Sequence, residues 1–197
     1  MQKIGTITLV QIQREPLKSV QNPNNTYDDR IYRTAPIQQM AKLQLTANGI
    51  IGITAEDQAL IDVHNTKHPQ TRNRGDNKLS FGFIQHYQRM QERFGEHITV
   101  GDAGENILID ADIDITHFDT THRLFIQHAD TQIELKNIAI ALPCRPFTIY
   151  CAQDDLHGKD LKTALQFLDN GTRGYYAAVR VTEAPYIIQA GDELWMM

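Results

Sequence analysis

A mainly β, barrel-like α+β domain is the fold class this sequence predicts, and three observations predict it. Short apolar runs of strand character recur along the chain, separated by turns of Asp, Asn, Gly and His. Only two stretches carry a helical stripe, and both sit between strand-like pieces as insertions. No internal repeat, low-complexity tract or linker interrupts the 197 residues, a length that suits one well-cored domain over 1–197.

Taken in order, Ile4 to Ile12 reads as a strand, with Ile4, Leu9, Val10 and Ile12 in imperfect alternation among threonines. Residues 14–38, rich in Pro, Asn, Asp and Arg, read as a long loop or flap. Leu43 to Ile53 returns to strand character, with Asn48-Gly49 as a turn or bulge. Residues 62–78, DVHNTKHPQTRNRGDNK, are almost free of aliphatic side chains. A helix is predicted from Ser80 to Phe94, because Phe83, Tyr87, Met90 and Phe94 form one apolar stripe and Gly95 can close it. That stripe reads as core.

From Ile98 to Tyr150 the signal is mostly β, in pieces at Ile107 to Ile109, Arg123 to Gln127, Thr131 to Leu135 and Asn137 to Leu142. A second helix fits Lys159 to Leu168, with Leu161, Leu165 and Leu168 on one face. Gly174 to Thr182 and Ile187 to Trp195 look like two closing strands, joined by a turn around Ala184-Pro185.

Composition narrows the function. The formal net charge is −5 and no long basic run is present, which argues against a nucleic-acid backbone or an anionic membrane surface as partner. The N-terminal apolar run is too short for a signal peptide and nothing later reaches spanning length, so cytoplasmic residence is expected. In that setting Cys144 and Cys151 are expected to be reduced, as working thiols or as filling. The chain has no glycine-rich phosphate loop after a strand, no GxSxG elbow and no CxxC pair, which removes most nucleotide-binding, hydrolase and zinc-ribbon readings.

Three stretches could carry chemistry. In Pro143-Cys144-Arg145-Pro146 a thiol stands beside a cation, and prolines favour a strand end where a ligand can approach. The bland alternative for Cys144 is a buried small hydrophobe. In Gly101-Asp102-Ala103-Gly104-Glu105-Asn106 two glycines let a backbone come close to a ligand, while Glu105 and Asn106 offer a carboxylate and an amide. An ordinary turn before a strand explains it equally. Within 62–78, the four-residue spacing of His64 and His68 would suit zinc only on a helix, which Pro69 disfavours. Arg72 or Arg74 suits a phosphate or carboxylate better, and a solvated loop remains the alternative.

Together these pieces resemble the MOSC domain, the C-terminal domain of molybdenum-cofactor sulfurases, which also occurs as stand-alone bacterial proteins. The matching residues are Gly49-Ile50-Ile51-Gly52, His64 with His68 and Arg72, the helix ending Tyr87…Phe94-Gly95, and Gly101…Gly104-Glu105-Asn106-Ile107. Pro143-Cys144, Arg173-Gly174-Tyr175-Tyr176-Ala177 and Gly191-Asp192-Glu193-Leu194 complete the series in the family's order. The resemblance implies a barrel-like fold with two or three inserted helices and a function that turns on Cys144, as a persulfide carrier or a molybdenum ligand. It implies a molybdenum cofactor (molybdopterin), held by polar and basic residues among which His64, His68, Arg72, Gly104, Glu105, Asn106 and Arg145 are the candidates. The pyridoxal-phosphate domain of full sulfurases has no room in this chain. A separate cysteine desulfurase or reductase would therefore be the protein partner, with the pterin cofactor or a small molecule as ligand.

Overall fold

A twelve-residue strand, β1 (Gln2–Gln13), is the seam of the structure, a computed structural model describing residues 1–20, 30–71, 79–116, 118–181 and 185–197. Its buried residues Ile4, Ile7, Val10 and Ile12 do not alternate strictly. The reason is that pairing slips between Lys3 and Gly5 and again between Ile7 and Leu9. Each slip is a bulge that shifts which residues point inward. At Gly5 a Cβ would collide with the Asp110 carbonyl oxygen, so glycine permits the close approach.

Seven strands close into a barrel. On one side β1 pairs with β14 (Glu193–Met196), and the order runs on through β10 (Leu124–His128), β11 (Thr131–Ile140), β12 (Tyr175–Ala178), β8 (Leu79–Phe83) and β9 (Ile107–Ala111) back to β1. The one parallel pair in this barrel is β8 with β9, and helix α1 (Ile84–Phe94) makes the crossover that a parallel pair requires. A second sheet, β13 (Tyr186–Gln189), β5 (Lys42–Thr46), β6 (Gly49–Ile53) and β7 (Ala59–Ile61), packs on β1. The mainly β barrel is thus as expected, and the helices number three among the described residues: α1, α2 (Arg145–Ala152) and α3 (Gly158–Leu168).

Four local expectations change. The helix expected from Ser80 begins at Ile84, because Leu79 to Phe83 is a fully buried strand whose short alternation of Leu79, Phe81 and Phe83 with Ser80 and Gly82 runs directly into the helical stripe. The prolines around Cys144 mark a helix, not a strand end. Pro146 lies in the first turn of α2, where a missing N–H costs nothing. Two strands expected over 131–142 are one, β11, bent where Asn137 takes φ 50° and the register slips. Finally, the expected loop at 14–38 contains β2 (Lys18–Val20), β3 (Arg30–Tyr32) and β4 (Ile37–Gln39), with 21–29 outside the described residues. Ala184 of the expected closing turn also lies outside them. No helix of the described chain is long and apolar enough to cross a membrane.

Two apolar clusters result. One fills the barrel with Ile4, Ile7, Phe81, Phe83, Tyr175 and Leu194. The other lies outside it, where Tyr87 and Met90 of α1, Phe147 and Cys151 of α2 and Leu168 of α3 meet Leu17 and Tyr32. Between the two, a polar knot ties three segments. Asn106 accepts from the Ser80 amide (3.1 Å) and hydroxyl (3.0 Å), and donates to the Gln11 carbonyl and to Asp62 Oδ2 (both 3.2 Å). That uses every donor and acceptor of its side chain.

Asn106→Ala therefore has a predictable consequence. It removes one of the donors to the buried Asp62 carboxylate, the acceptor of the Ser80 hydroxyl and amide, and a donor to the Gln11 carbonyl, so the expected loss is roughly 2–4 kcal/mol, measured by urea unfolding at neutral pH. A loss below about 1 kcal/mol would mean that the knot holds nothing together.

Candidate anion pocket and thiol

Where β1 ends, the chain passes Pro16 and Leu17 into β2, and these residues wall a cavity of about 170 Å³. Lys18 and Arg30 line it from β2 and β3, Val63, His64 and Gln70 from the segment after β7, and Arg173 and Tyr176 from the start of β12. Among the described lining residues three side chains are cations and none is a carboxylate, a composition that favours an anion.

Arg173 is the unusual member. It is 8% exposed, its guanidinium carbon stands 5.3 Å over the ring of Phe147, and its Nε has no hydrogen-bond partner among the described residues. A buried N–H of a cation without an acceptor costs free energy unless something fills the position. Burial alone would lower the guanidinium pKa, but Tyr176, Tyr32 and Cys144 nearby hold it above the usual arginine value. The local backbone places it there. Its N–H donates to the Leu168 carbonyl (3.2 Å) at the end of α3, and Gly174 follows with φ 107°. At that glycine a Cβ would come within 2.8 Å of the Phe81 carbonyl oxygen.

His64 is fixed by a fully buried acid that the sequence did not single out. Asp62 Oδ1 accepts from the His64 amide (2.8 Å) and lies 3.0 Å from His64 Nδ1, while Oδ2 accepts from the Gln13 amide (2.8 Å) and from Asn106. In this contact Nδ1 carries the proton that Asp62 Oδ1 accepts.

Glu105 lies one layer deeper. It lines a chamber of about 20 Å³ that shares Gln13, Arg173 and Tyr176 with the larger cavity. Its Oε2 accepts a 2.6 Å hydrogen bond from the Tyr87 hydroxyl, which in turn accepts from the Ala103 amide. Burial pushes its carboxyl up to about 7, with Tyr87 and Arg173 pulling the other way. Gly82 and Gly174 leave room for it, since a Cβ at either would meet Oε1 at 2.6 or 3.0 Å. Gly104, with φ 84°, lines the same chamber, and a Cβ there would strike Gln13.

Cys144 is half-buried at the N-cap of α2, where a helix carries partial positive charge. It packs against the outer apolar cluster, close enough to Arg173 and Tyr32 for their charges to interact. It is not among the residues that line the cavity. Cys151 lies two helical turns on, fully buried, and burial raises its thiol to about 12. Two turns of helix separate the Cα atoms by on the order of 10 Å, beyond disulfide reach, and both thiols are free.

The other expected site residues fall outside this arrangement. His68 has both ring nitrogens engaged, Nε2 with the Arg14 carbonyl (3.1 Å) and Nδ1 with the Gln70 amide (3.1 Å). Arg145 was expected to be the cation beside the thiol, but its Nη2 pairs with Asp155 at 2.6 Å. Arg173 is the buried cation instead. Asn106 holds the fold through its four bonds and does not line the cavity. Arg72, Arg74 and Lys78 lie outside the described residues. Among the described residues no three His, Cys, Asp or Glu side chains gather around a metal position. Arg173 had one local signal, its place between Gly171 and Gly174 in a turn where both glycines take positive φ.

The YiiM structure from Escherichia coli superposes with a TM-score of 0.50 at 18% identity, over 81% of this chain and 64% of that one. The YUAD protein from Bacillus subtilis gives 0.49 at 16% identity, over 95% and 96% of the two chains. No curated protein matches. The MOSC domain, however, matches residues 76–195, more than half of the chain and the part that holds the barrel strands from β8 onward, Glu105, Cys144 and Arg173. This chain belongs to the MOSC domain family, whose members are associated with molybdenum-cofactor-related proteins.

Proposed function

We propose that the chain is a molybdenum-cofactor-associated protein that works through Cys144, with the anionic end of the pterin cofactor held in the cavity at Arg173. The observation that carries this reading is the unpartnered Nε of a buried arginine that lines a cavity whose described walls hold Lys18 and Arg30 and no carboxylate. A guanidinium binds phosphate through paired hydrogen bonds, and Lys18 and Arg30 add charge at the wall. At about 170 Å³ the cavity suits a phosphate-sized head, since whole drug-sized ligands need roughly 300 Å³ or more.

Cys144 then serves in one of two ways. As a persulfide carrier its thiolate attacks the outer sulfur of a persulfide on a separate cysteine desulfurase, whose cysteine leaves as the thiolate, and the sulfur is then passed on. As a molybdenum ligand it anchors the metal of the cofactor, which supplies two-electron redox chemistry for reducing N-hydroxylated compounds, with electrons from a separate reductase. Thiolate sulfur suits both roles. Gly104 and Glu105 support the floor behind Arg173, and His64, steadied by Asp62, supplies a ring at the wall. A second reading, a non-catalytic module that binds an anionic ligand, draws on one observation: Cys144 is not a lining residue of the cavity.

Metal analysis of protein produced with an intact cofactor pathway separates the readings. About one molybdenum per chain, or a persulfide mass on Cys144, is expected, and Cys144→Ser should remove it with little change in melting temperature. Molybdenum and sulfur both absent under every expression condition would favour the binding module. Cys151→Ser should instead keep loading and lose about 1–3 kcal/mol of stability, because it buries a hydroxyl in an apolar cluster.

A different measurement addresses the cavity. In Arg173→Gln a charge-assisted hydrogen bond worth on the order of 1.5–3 kcal/mol is lost, so anion affinity at low salt should fall roughly ten- to a hundredfold. Equal affinities by titration would return Arg173 to a structural role.

A further inference from the structure

A buried carboxyl stands behind the anion cavity, and the proposed function uses it as a wall but not as an acid. Glu105 is 3% exposed and sits in the chamber of about 20 Å³ whose wall includes Arg173. That volume holds about one water molecule. The seat is built for a carboxyl: the Tyr87 hydroxyl donates to Oε2, and the bare Gly82 and Gly174 make room for Oε1. The groups that face it are Tyr87 from α1, Tyr32 from β3, Asp102 from its own loop, Ser80 from β8, Arg173, and Tyr175 and Tyr176 of β12. Arg173 is the one cation in that set.

We propose that Glu105 is the internal counter-ion of Arg173 and takes up a proton from solvent when an anion enters the cavity, so that the site loads anion and proton together. This rests on the anion-pocket reading. With the cavity empty, the guanidinium and the carboxylate balance one another across the small chamber. An anion on the outer side of Arg173 adds a negative charge close to a buried one, and in a low-dielectric interior two such charges cannot both be held by one cation. The carboxyl resolves this by protonating in place. No covalent bond changes, and the bound proton leaves again with the anion.

The direction of the pH effect follows. Burial already places Glu105 at about 7 in the free protein. A bound anion raises it further, so affinity is weakest at high pH. It strengthens as pH falls through the bound-state value and levels off below about 7. A shift of one unit corresponds to about a tenfold change in affinity.

Sulfate is the probe, because it does not itself titrate in this range. Titration calorimetry on the full chain at low ionic strength, from about pH 9 to about pH 7 in buffers of different ionisation enthalpy, reads affinity and proton uptake together. The wild type should gain about tenfold in affinity across the range and take up a fraction of a proton per sulfate, whereas Glu105→Gln should lose that uptake. Cys144→Ser should retain it, which separates the carboxyl from the thiol. Where Glu105→Gln does not fold, Tyr87→Phe decides. Removing the hydroxyl that holds the carboxyl down should move the gain in affinity to higher pH. The same proton uptake in Glu105→Gln as in wild type, or an unmoved profile in Tyr87→Phe, overturns the proposal while leaving the pocket intact. No sulfate binding at any pH would overturn the pocket and this inference with it.

Discussion

A carboxylate with no access to water constrains everything around it, and Asp62 is that carboxylate here. Leaving it unsatisfied would cost several kcal/mol, so the fold must bring donors to both oxygens. It brings them from three places: the Gln13 amide at the end of β1, the Asn106 side chain before β9, and the His64 amide and ring two residues on. Once those bonds are made, the edge of the barrel, the segment after β7 and the Gly104-Glu105-Asn106 corner have fixed relative positions. The cavity between them inherits its shape from that constraint.

The second requirement is to bury an arginine. The Phe147 face lies over its guanidinium carbon, and the phenols of Tyr32 and Tyr176 stand beside it, so the cation is surrounded by groups that favour its charge. Gly174 then turns the chain immediately into β12, where the backbone passes against β8 too closely for any other side chain. The same geometry separates the two cysteines by role. Cys151 is deep in the outer cluster with its thiol pushed up, an inert packing group, while Cys144 stands at the head of α2, partly open to approach.

Much of this was legible in the sequence, and the failures have physical causes. β1, the β5–β6 hairpin, the stripe of α1 and the position of α3 follow from local period and turn chemistry, which neighbouring residues determine. LSFGF at 79–83 was not legible as a strand, because five residues of alternation are short and Phe83 also opens the helical stripe with Tyr87 and Met90. Glu105 and Asn106 were singled out as a pair, yet their work differs: Asn106 turns its amide into the polar knot, and Glu105 turns its carboxyl towards Arg173 and Tyr87. Asp62 carries no mark of its own, and Arg173 stands out only within the run Arg173-Gly174-Tyr175-Tyr176-Ala177 that matches the family. A single acid after an apolar triplet and a single arginine in a turn gain meaning from contacts 40 or more residues away, as Asp62 does with Asn106 at 44. Arg145 is a cation adjacent to the thiol in the chain, and in the structure its guanidinium pairs with Asp155.

Net charge misleads in a related way. The chain carries −5 overall, which argues against an extended phosphate backbone as ligand, and yet its cavity is cationic. The two facts are compatible because they concern different lengths. Acids spread over the surface set the potential that a polymer meets, and salt screens that potential within about 8 Å. Inside a concave site with low-dielectric walls the nearest charges dominate, and those are Lys18, Arg30 and Arg173. A compact anion that can enter experiences the cations almost alone, whereas a long polyanion must lie across the acidic exterior. The size of the cavity thereby acts as a charge filter. It also explains why Glu105 is placed behind Arg173 and not at the rim. A carboxylate at the rim would repel the anion on entry, while one in the inner chamber, able to become neutral, balances the arginine only while the cavity is empty.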